Sequence, residues 1–331
     1  RVAATNSIGQ GGFTESSTVV YKGPPTQPRT PFTLACTPSP LMLYWSKPFN
    51  LNGSTISEYK IDVSTDGGQT WSVASSGTGS TALSFADSNV TPGTNYVYRV
   101  AAITTDGLIS PWSSTTTPES PIRFASGCGT STNPYRIETW KQLHDIREEL
   151  SAHYRLNQTL NNASSGYADY VKNGANLADG GKGWQPIGSR STPFTGSFDG
   201  NELSISDLEI QRREEDEIGL FGAIDSGAII KDLALINVAI EGEDYTGGLV
   251  GYASGGAGSI ENIVVNGQVT SSENRAGCLI GENHVDITAA HVNCSVTGKR
   301  IVGGLLGHNT ASIKLSSSAG SVSGSMQVGG L

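Results

Sequence analysis

Four-residue blocks of one type recur through the second half of this chain: Gly-Leu-Phe-Gly at 219–222, Gly-Leu-Val-Gly at 248–251, Cys-Leu-Ile-Gly at 278–281 and Gly-Leu-Leu-Gly at 304–307, with a final Gly-Gly-Leu ending at Leu331. Their leucines stand at 220, 249, 279, 305 and 331, giving steps of 29 (249 − 220), 30 (279 − 249), 26 (305 − 279) and 26 (331 − 305). A period of this length marks a repeat architecture in which each unit buries its apolar face only against its neighbours. Between the blocks lie alternating stretches such as "IENIVVNGQVTSS" and "ITAAHVNCSVTG", with no helical pattern among them. Each period is expected to be one all-β coil of a solenoid: the bulky pair fills a narrow interior and the flanking glycines form tight corners.

Composition agrees with a mainly β chain. Glycine supplies 42 of 331 residues and charged residues only 15%, a balance that suits strands and turns better than helices. The net charge is −9 and no basic run exists to neutralise phosphates, which excludes nucleic acid and an anionic membrane as partners. No apolar stretch approaches the roughly 18 residues needed to cross a bilayer, so no direct membrane insertion is expected of this segment.

The first third has a different texture. After the Pro-rich linker "KGPPTQPRTP" come short alternating runs at regular spacing, "FTLAC", "LMLYW", "EYKIDVS", "TALSF", "NYVYRVAAI" and "WSSTTT". In "EYKIDVS", Tyr59, Ile61 and Val63 share one face and Glu58, Lys60 and Asp62 the other, as in a half-buried strand. With Trp45 in the second run and Tyr96 and Tyr98 in "VTPGTNYVYRVAA", residues 25–124 resemble a fibronectin type III domain, Tyr96 falling where a tyrosine corner would be. The four residues Arg-Val-Ala-Ala at 1–4 recur at 99–102, so residues 1–24 are similar to the last strands and linker of a preceding copy, and the chain is expected to begin inside a domain and end inside a repeat. "STDGGQTW" (64–71) has the form of an Asp box; a single copy between two sandwich strands is expected to be a hairpin turn, with Asp66 accepting local N–H bonds, Gly67 and Gly68 at positive φ and Trp71 packed back on the sheet.

"IETWKQLHDIREELSAHY" carries Leu143, Ile146 and Leu150 at helical spacing behind a Thr139/Gln142 capping box, which predicts one helix that caps the solenoid. Residues 125–210 are read as this helix and an aromatic lead-in with Trp184, Phe194 and Phe198, and 211–331 as the repeats. The blocks, together with "WQPIG", "FTGSFDGN" and "ISDLEI" before them, resemble the GLUG-motif region of bacterial surface adhesins, with Cys278 departing from the expected glycine. That resemblance implies a secreted or surface-exposed structural and adhesive region. The fold expected overall is a fibronectin-type β-sandwich plus a β-helix with an N-terminal capping helix.

Candidate chemistry is sparse. Six residues before each repeat leucine stand Glu214, Glu243, Glu273, Lys299 and Ser325, which would form an acidic ridge if the coils stack in register. Glu214, Asp216, Glu243, Asp244 and Glu273 are the candidates for Ca²⁺ or a polar ligand, beside the plainer reading of a solvated charged corner. His284, His291 and His308 sit 5, 12 and 3 residues after the preceding leucine, offsets that do not align for a shared metal. Cys36 and Cys128 flank the sandwich and are candidates for a disulfide; Cys278 and Cys294, about half a coil apart, are read against one. No nucleophile, zinc or phosphate-loop motif is present. The leading expectation is a non-catalytic, adhesin-like stalk or binding region, extracellular or at the cell surface, whose partner is a glycan or a host or neighbouring-cell surface protein. A structural subunit of a fibre, sheath or surface layer that self-assembles is the second reading, and a polysaccharide-acting β-helix or an accessory region of a secreted protease the third.

Overall fold

A computed structural model describes residues 3–13, 22–172, 180–256 and 258–330. The chain divides into two compact units, Arg1–Ile122 and Arg123–Leu331.

In the first unit, Thr5–Asn6 and Gly9–Gln10 pair as a small antiparallel hairpin; the later part of the strands expected in 1–24 falls on 14–21, outside the described residues. The sandwich proper has two antiparallel three-stranded sheets. Leu41–Tyr44 lies between Phe32–Thr33 and Ser84–Asp87, and Ile56–Ser64 lies between Ser72–Ser75 and Val97–Thr104. Leu41, Leu43, Trp45, Tyr59, Ile61, Tyr98 and Val100 interlock between them, with Val63 half-buried at the margin. The Tyr96 hydroxyl accepts the Thr91 N–H at 2.9 Å, closing the corner that the sequence predicts.

On the outer face of the second sheet, the Arg99 guanidinium lies between the Trp71 and Trp112 rings, 4.2 and 4.4 Å from their centroids, and donates to Asp62 at 2.7 Å. Burying Asp62 on the nominally wet face is tolerable because Arg99 neutralises it. The Asp box is a turn: Asp66 accepts N–H bonds from Gln69 and Thr70, and Gly67 and Gly68 have φ of 75° and 93°. The Ser64 and Thr70 hydroxyls, with the Thr70 amide, hold the Asp66 carboxyl below the usual carboxylate range.

The free edge of Val97–Thr104 is closed in an unusual register. Ser110, Ser113, Thr116 and Glu119 donate N–H bonds to the carbonyls of Ala102, Val100, Tyr98 and Tyr96, so every three residues on one side meet two on the other. Ser110, Ser113 and Thr116 also accept, through their hydroxyls, the N–H groups of Ala102, Val100 and Tyr98. The hydroxyls do what a regular strand's carbonyls would.

The second unit is a parallel β-solenoid of about five turns with three walls. Its long wall stacks Tyr135–Ile137, His153–Leu156, Ser197–Ser206, Ile229–Gly242, Ser259–Ser271, Asp286–Thr297 and Ser317–Ser323. The second wall comprises Phe221–Ile224, Val250–Ala253, Ile280–Asn283 and Leu306–Asn309, and the third Thr246–Gly247, Asn274–Gly277, Arg300–Gly303 and Val328–Gly329.

Like sits on like in the interior. Ile230, Ile260 and Ile287 form one rung-to-rung column, Leu233, Ile263 and Ala290 a second, and Ile240, Val269 and Val296 a third, all buried. Along Ile229–Gly242 the inward positions run 230, 233, 235, 238 and 240. The two steps of three each span a residue at positive φ, Asp232 (54°) and Asn237 (56°). Asp and Asn tolerate that conformation, and Asn262 and Asn237 donate from their side chains to Asp232 and Asp207 of the preceding coils.

The repeat leucines 220, 249, 279 and 305 are fully buried. The glycines after them act by close approach and not by positive φ: a Cβ on Gly281 would stand 2.5 Å from the Thr246 nitrogen and 2.5 Å from the Tyr245 carbonyl carbon. Corner conformations at positive φ fall instead on Glu217, Tyr245, Arg275 and Ile301. The reading of these glycines as corner-formers is corrected accordingly.

Two further expectations are revised. The helix spans only Trp140–Asp145, with a 3₁₀ turn at Ile146–Glu148, and His153–Leu156 is a strand. Thr139 caps it by accepting the Gln142 N–H, but it lies in the connection between the first two strands of the long wall. The outer edge of Tyr135–Ile137 is covered by residues 125–128 through N–H bonds at Ala125 and Arg136, with Phe124 stacked on Tyr135. Cys278 and Cys294 are bridged, their Cα atoms 5.8 Å apart. Half a coil along the solenoid brings the two buried residues together across the interior, so the separation that counted against the bond is what permits it.

Candidate functional site

Backbone bonds fix how the acidic positions stack. Glu243 donates its N–H to the Glu215 carbonyl, Glu273 to Glu243, and Lys299 to Glu273. Glu215, not Glu214, therefore heads the predicted ridge, because the first coil is one residue shorter from ridge to leucine than the count assumes. Glu214 instead lines a shallow depression of about 380 Å³ with Lys182, Gln211, Arg212 and Arg213. Asp216 and Asp244 form a neighbouring column whose carboxylates accept the N–H groups of Asp244 and Asn274 at 3.1 and 2.6 Å. Glu273 pairs with Lys299 at 2.8 Å, and Glu215 with Lys182 and Arg212. Asp216, Asp244 and Glu273 are thus spent on stitching coil to coil, and among the described residues no three His, Cys, Asp or Glu side chains converge as a metal site requires.

A different cluster forms on the outer face of the second wall. Ala223, Tyr252, Glu282 and His308 are register partners in successive coils. Beside them run the corner residues Glu217, Tyr245 and Arg275. Before the first coil, a tight turn closed by reciprocal Ser189 and Thr192 backbone bonds carries Arg190 over this face. Its guanidinium lies 4.1 Å from the Tyr245 ring centroid and 4.0 Å from that of Tyr252, and its Nε is 3.0 Å from Glu217. Burial opposes the Arg190 charge, but Tyr245 and Glu217 outweigh it and its pKa is raised.

The rings form a chain: Tyr245 to Tyr252 within one coil at 5.8 Å, then along the axis Tyr252 to His284 at 5.8 Å and His284 to His308 at 6.3 Å. Glu282 sits beneath them, 3.1 Å from His284 Nε2, 3.5 Å from His308 Nδ1 and 2.6 Å from Arg275 Nε. Offsets of 5 and 3 from the leucine differ by two, so in an extended chain His284 and His308 leave the same side of the wall and their rings meet, although no metal-ligating group of three forms among the described residues. His291 stands on the long wall and contacts Ser317. At the Arg190 end, a groove of about 230 Å³ is walled by Arg190, Pro193, Ala223, Ile224, Asp225, Tyr252 and Ser254.

Residues 23–119 match the family model of the fibronectin type III domain. The sandwich is a fibronectin type III domain. Residues 242–270 match the GLUG motif, a stretch that contains both Tyr245 and Tyr252. Among curated proteins, a Gly-rich membrane protein of Evansella cellulosilytica is 35% identical over 195 residues, 57% of this chain and 21% of that protein. Halomucin of Haloquadratum walsbyi is 36% identical over 129 residues, 38% of this chain and 1% of halomucin. This chain thus spans 21% and 1% of the length of these relatives. A solved structure described as an immunoglobulin A1 protease from Bacteroides ovatus is 19% identical, covers 61% of this chain and 62% of that one, and has a TM-score of 0.45.

Within the GLUG coil, then, the leucine and glycines build the wall and the tyrosines decorate it. Sequence reasoning overlooked Tyr245 and Tyr252 because they lie seven apart and do not recur in the next coil, where Arg275 and Glu282 take their places. Their positions, four before and three after the repeat leucine, were a usable signal.

Proposed function

We propose that this chain is part of an extracellular surface protein in which the fibronectin type III domain is a spacer and the GLUG-bearing solenoid a binding region without catalytic activity. The observation that carries the reading is the second wall: aromatic, cationic and anionic side chains from four successive turns are held outward on a rigid stack, as a recognition surface requires. The Cys278–Cys294 bridge suits an oxidising compartment, and the relatives' names, a membrane protein and a halomucin, point the same way. Carboxylates committed to N–H bonds and ion pairs across coils favour display over turnover.

The test is a binding screen of the chain against arrayed glycans and matrix proteins, with millimolar Ca²⁺ and again with chelator. Saturable binding to a defined class supports the reading. Absence of binding under both conditions, or release of new reducing ends from a polysaccharide, would overturn it; ordered polymers seen by light scattering would move the assignment to an assembly subunit.

A further inference from the structure

The ion pairs of the second wall are internal to it. Arg190 is matched by Glu217, and Arg275 by Glu282. Little net charge is left to recruit a charged ligand, and what remains is a run of ring faces and edges interleaved with hydroxyl, carboxylate and imidazole groups. The groove at its end combines an apolar side, Pro193, Ala223 and Ile224 beside the Tyr252 ring, with the Asp225 carboxylate and the Ser254 hydroxyl. Asp225 uses one oxygen on the Ser226 N–H, and no hydrogen bond engages the Ser254 hydroxyl among the described residues. Below the size of sites for drug-like ligands, this groove suits one sugar ring, with C–H groups against the aromatic side and adjacent hydroxyls on the carboxylate.

Spacing supplies the second argument. Parallel rungs repeat every ~4.8 Å along the axis, close to the length that one hexose adds to an extended β-linked glycan. A ligand lying along the axis would meet a new side chain of the Tyr252, Glu282 and His308 column with each successive sugar. Neutrality and commensurate spacing together select the ligand class.

We infer that this track, from the Asp225 groove across Tyr252 and His284 to His308, binds a neutral, extended β-linked oligosaccharide parallel to the solenoid axis. The inference rests on the binding-region reading above and deepens it. Tyr252 provides the stacking ring, Asp225 and Ser254 orient the end sugar, His284, whose two ring nitrogens are engaged by Thr310 and Glu282, offers its ring to the next sugar, and His308 bonds a hydroxyl of the one after. Arg190 acts as a positioning residue that fixes the Tyr252 ring.

Calorimetric titration of the full chain with cellohexaose, mannohexaose and the N-acetylglucosamine hexamer, in chelator at neutral pH, tests it. Expected are saturable binding of at least one hexamer, about tenfold weaker binding for Tyr252→Ala and for Asp225→Asn, about threefold for His308→Ala, near-native affinity for Tyr252→Phe, and no change for Glu243→Gln. Circular dichroism and thermal melts of each variant separate loss of the site from loss of the fold. Unchanged affinity in a folded Tyr252→Ala chain overturns the site. If no hexamer binds while the wider screen captures an acidic glycan or a protein, the inference fails and the binding-region reading stands; if nothing binds in either, both fail.

Discussion

Gly281→Ala isolates the role of the last glycine in each block. The added methyl would lie 2.5 Å from the Thr246 nitrogen, 2.5 Å from the Tyr245 carbonyl carbon and 2.7 Å from the Tyr245 Cα. All three are backbone atoms of the neighbouring coil's corner and cannot rotate away. Relief requires prying the second wall from that corner, which places the cost at the upper end of overpacking, about 3 kcal/mol. For a unit of roughly 200 residues that lowers the melting temperature by roughly 6–12 °C. The control is Gly255→Ala, whose methyl would meet nothing closer than His284 at 3.6 Å and whose φ is not in the left-handed region; it should melt within about 2 °C of the parent. Scanning calorimetry of the whole chain reads both, with the sandwich transition as internal reference. Equal melting of the two variants would refute the close-approach argument, and with it the explanation of why the block ends in glycine.

Reduction of the Cys278–Cys294 bridge opens a loop of separation 16 and should cost the solenoid about 3 kcal/mol; a melt unmoved by reductant, with free thiols confirmed by alkylation, counts against this. Asp145, Glu215 and Asp232 have lowered pKa values. Burial opposes ionisation at Asp145 and Glu215, but His144 and Lys141 at the first and Lys182 and Arg212 at the second outweigh it; at Asp232 the Asn262 side chain is the main cause. Groups of this kind stabilise above the unfolded carboxylate range near pH 4 and lose that contribution as pH falls below it, so melting temperature should hold from about pH 7 to 5 and drop below 4.

Much of the solenoid was legible because burial writes itself on a fixed period: leucines 220, 249, 279 and 305 mark the same place in each coil and each is inaccessible to solvent. What was not legible has local causes. Leu143 and Ile146 have helical spacing, yet the chain leaves the helix before Leu150 because His153–Leu156 is claimed by the parallel sheet. The acidic ridge was offset by one residue because coils differ in length, so counting back from the leucine drifts between coils while backbone pairing does not. The aromatic track depends on Arg190, which lies before the repeats in sequence and reaches them only through its turn.

The edge of the sandwich along Val97–Thr104 is closed by a segment that has little left to offer. Its inward N–H groups and hydroxyls are spent on that strand, and the intervening Pro111 and Pro118 have no N–H at all. A second copy approaching this side finds no regular ladder to extend. Crowding such domains at high local concentration, as in a dense brush, therefore offers no route to a common sheet through this edge.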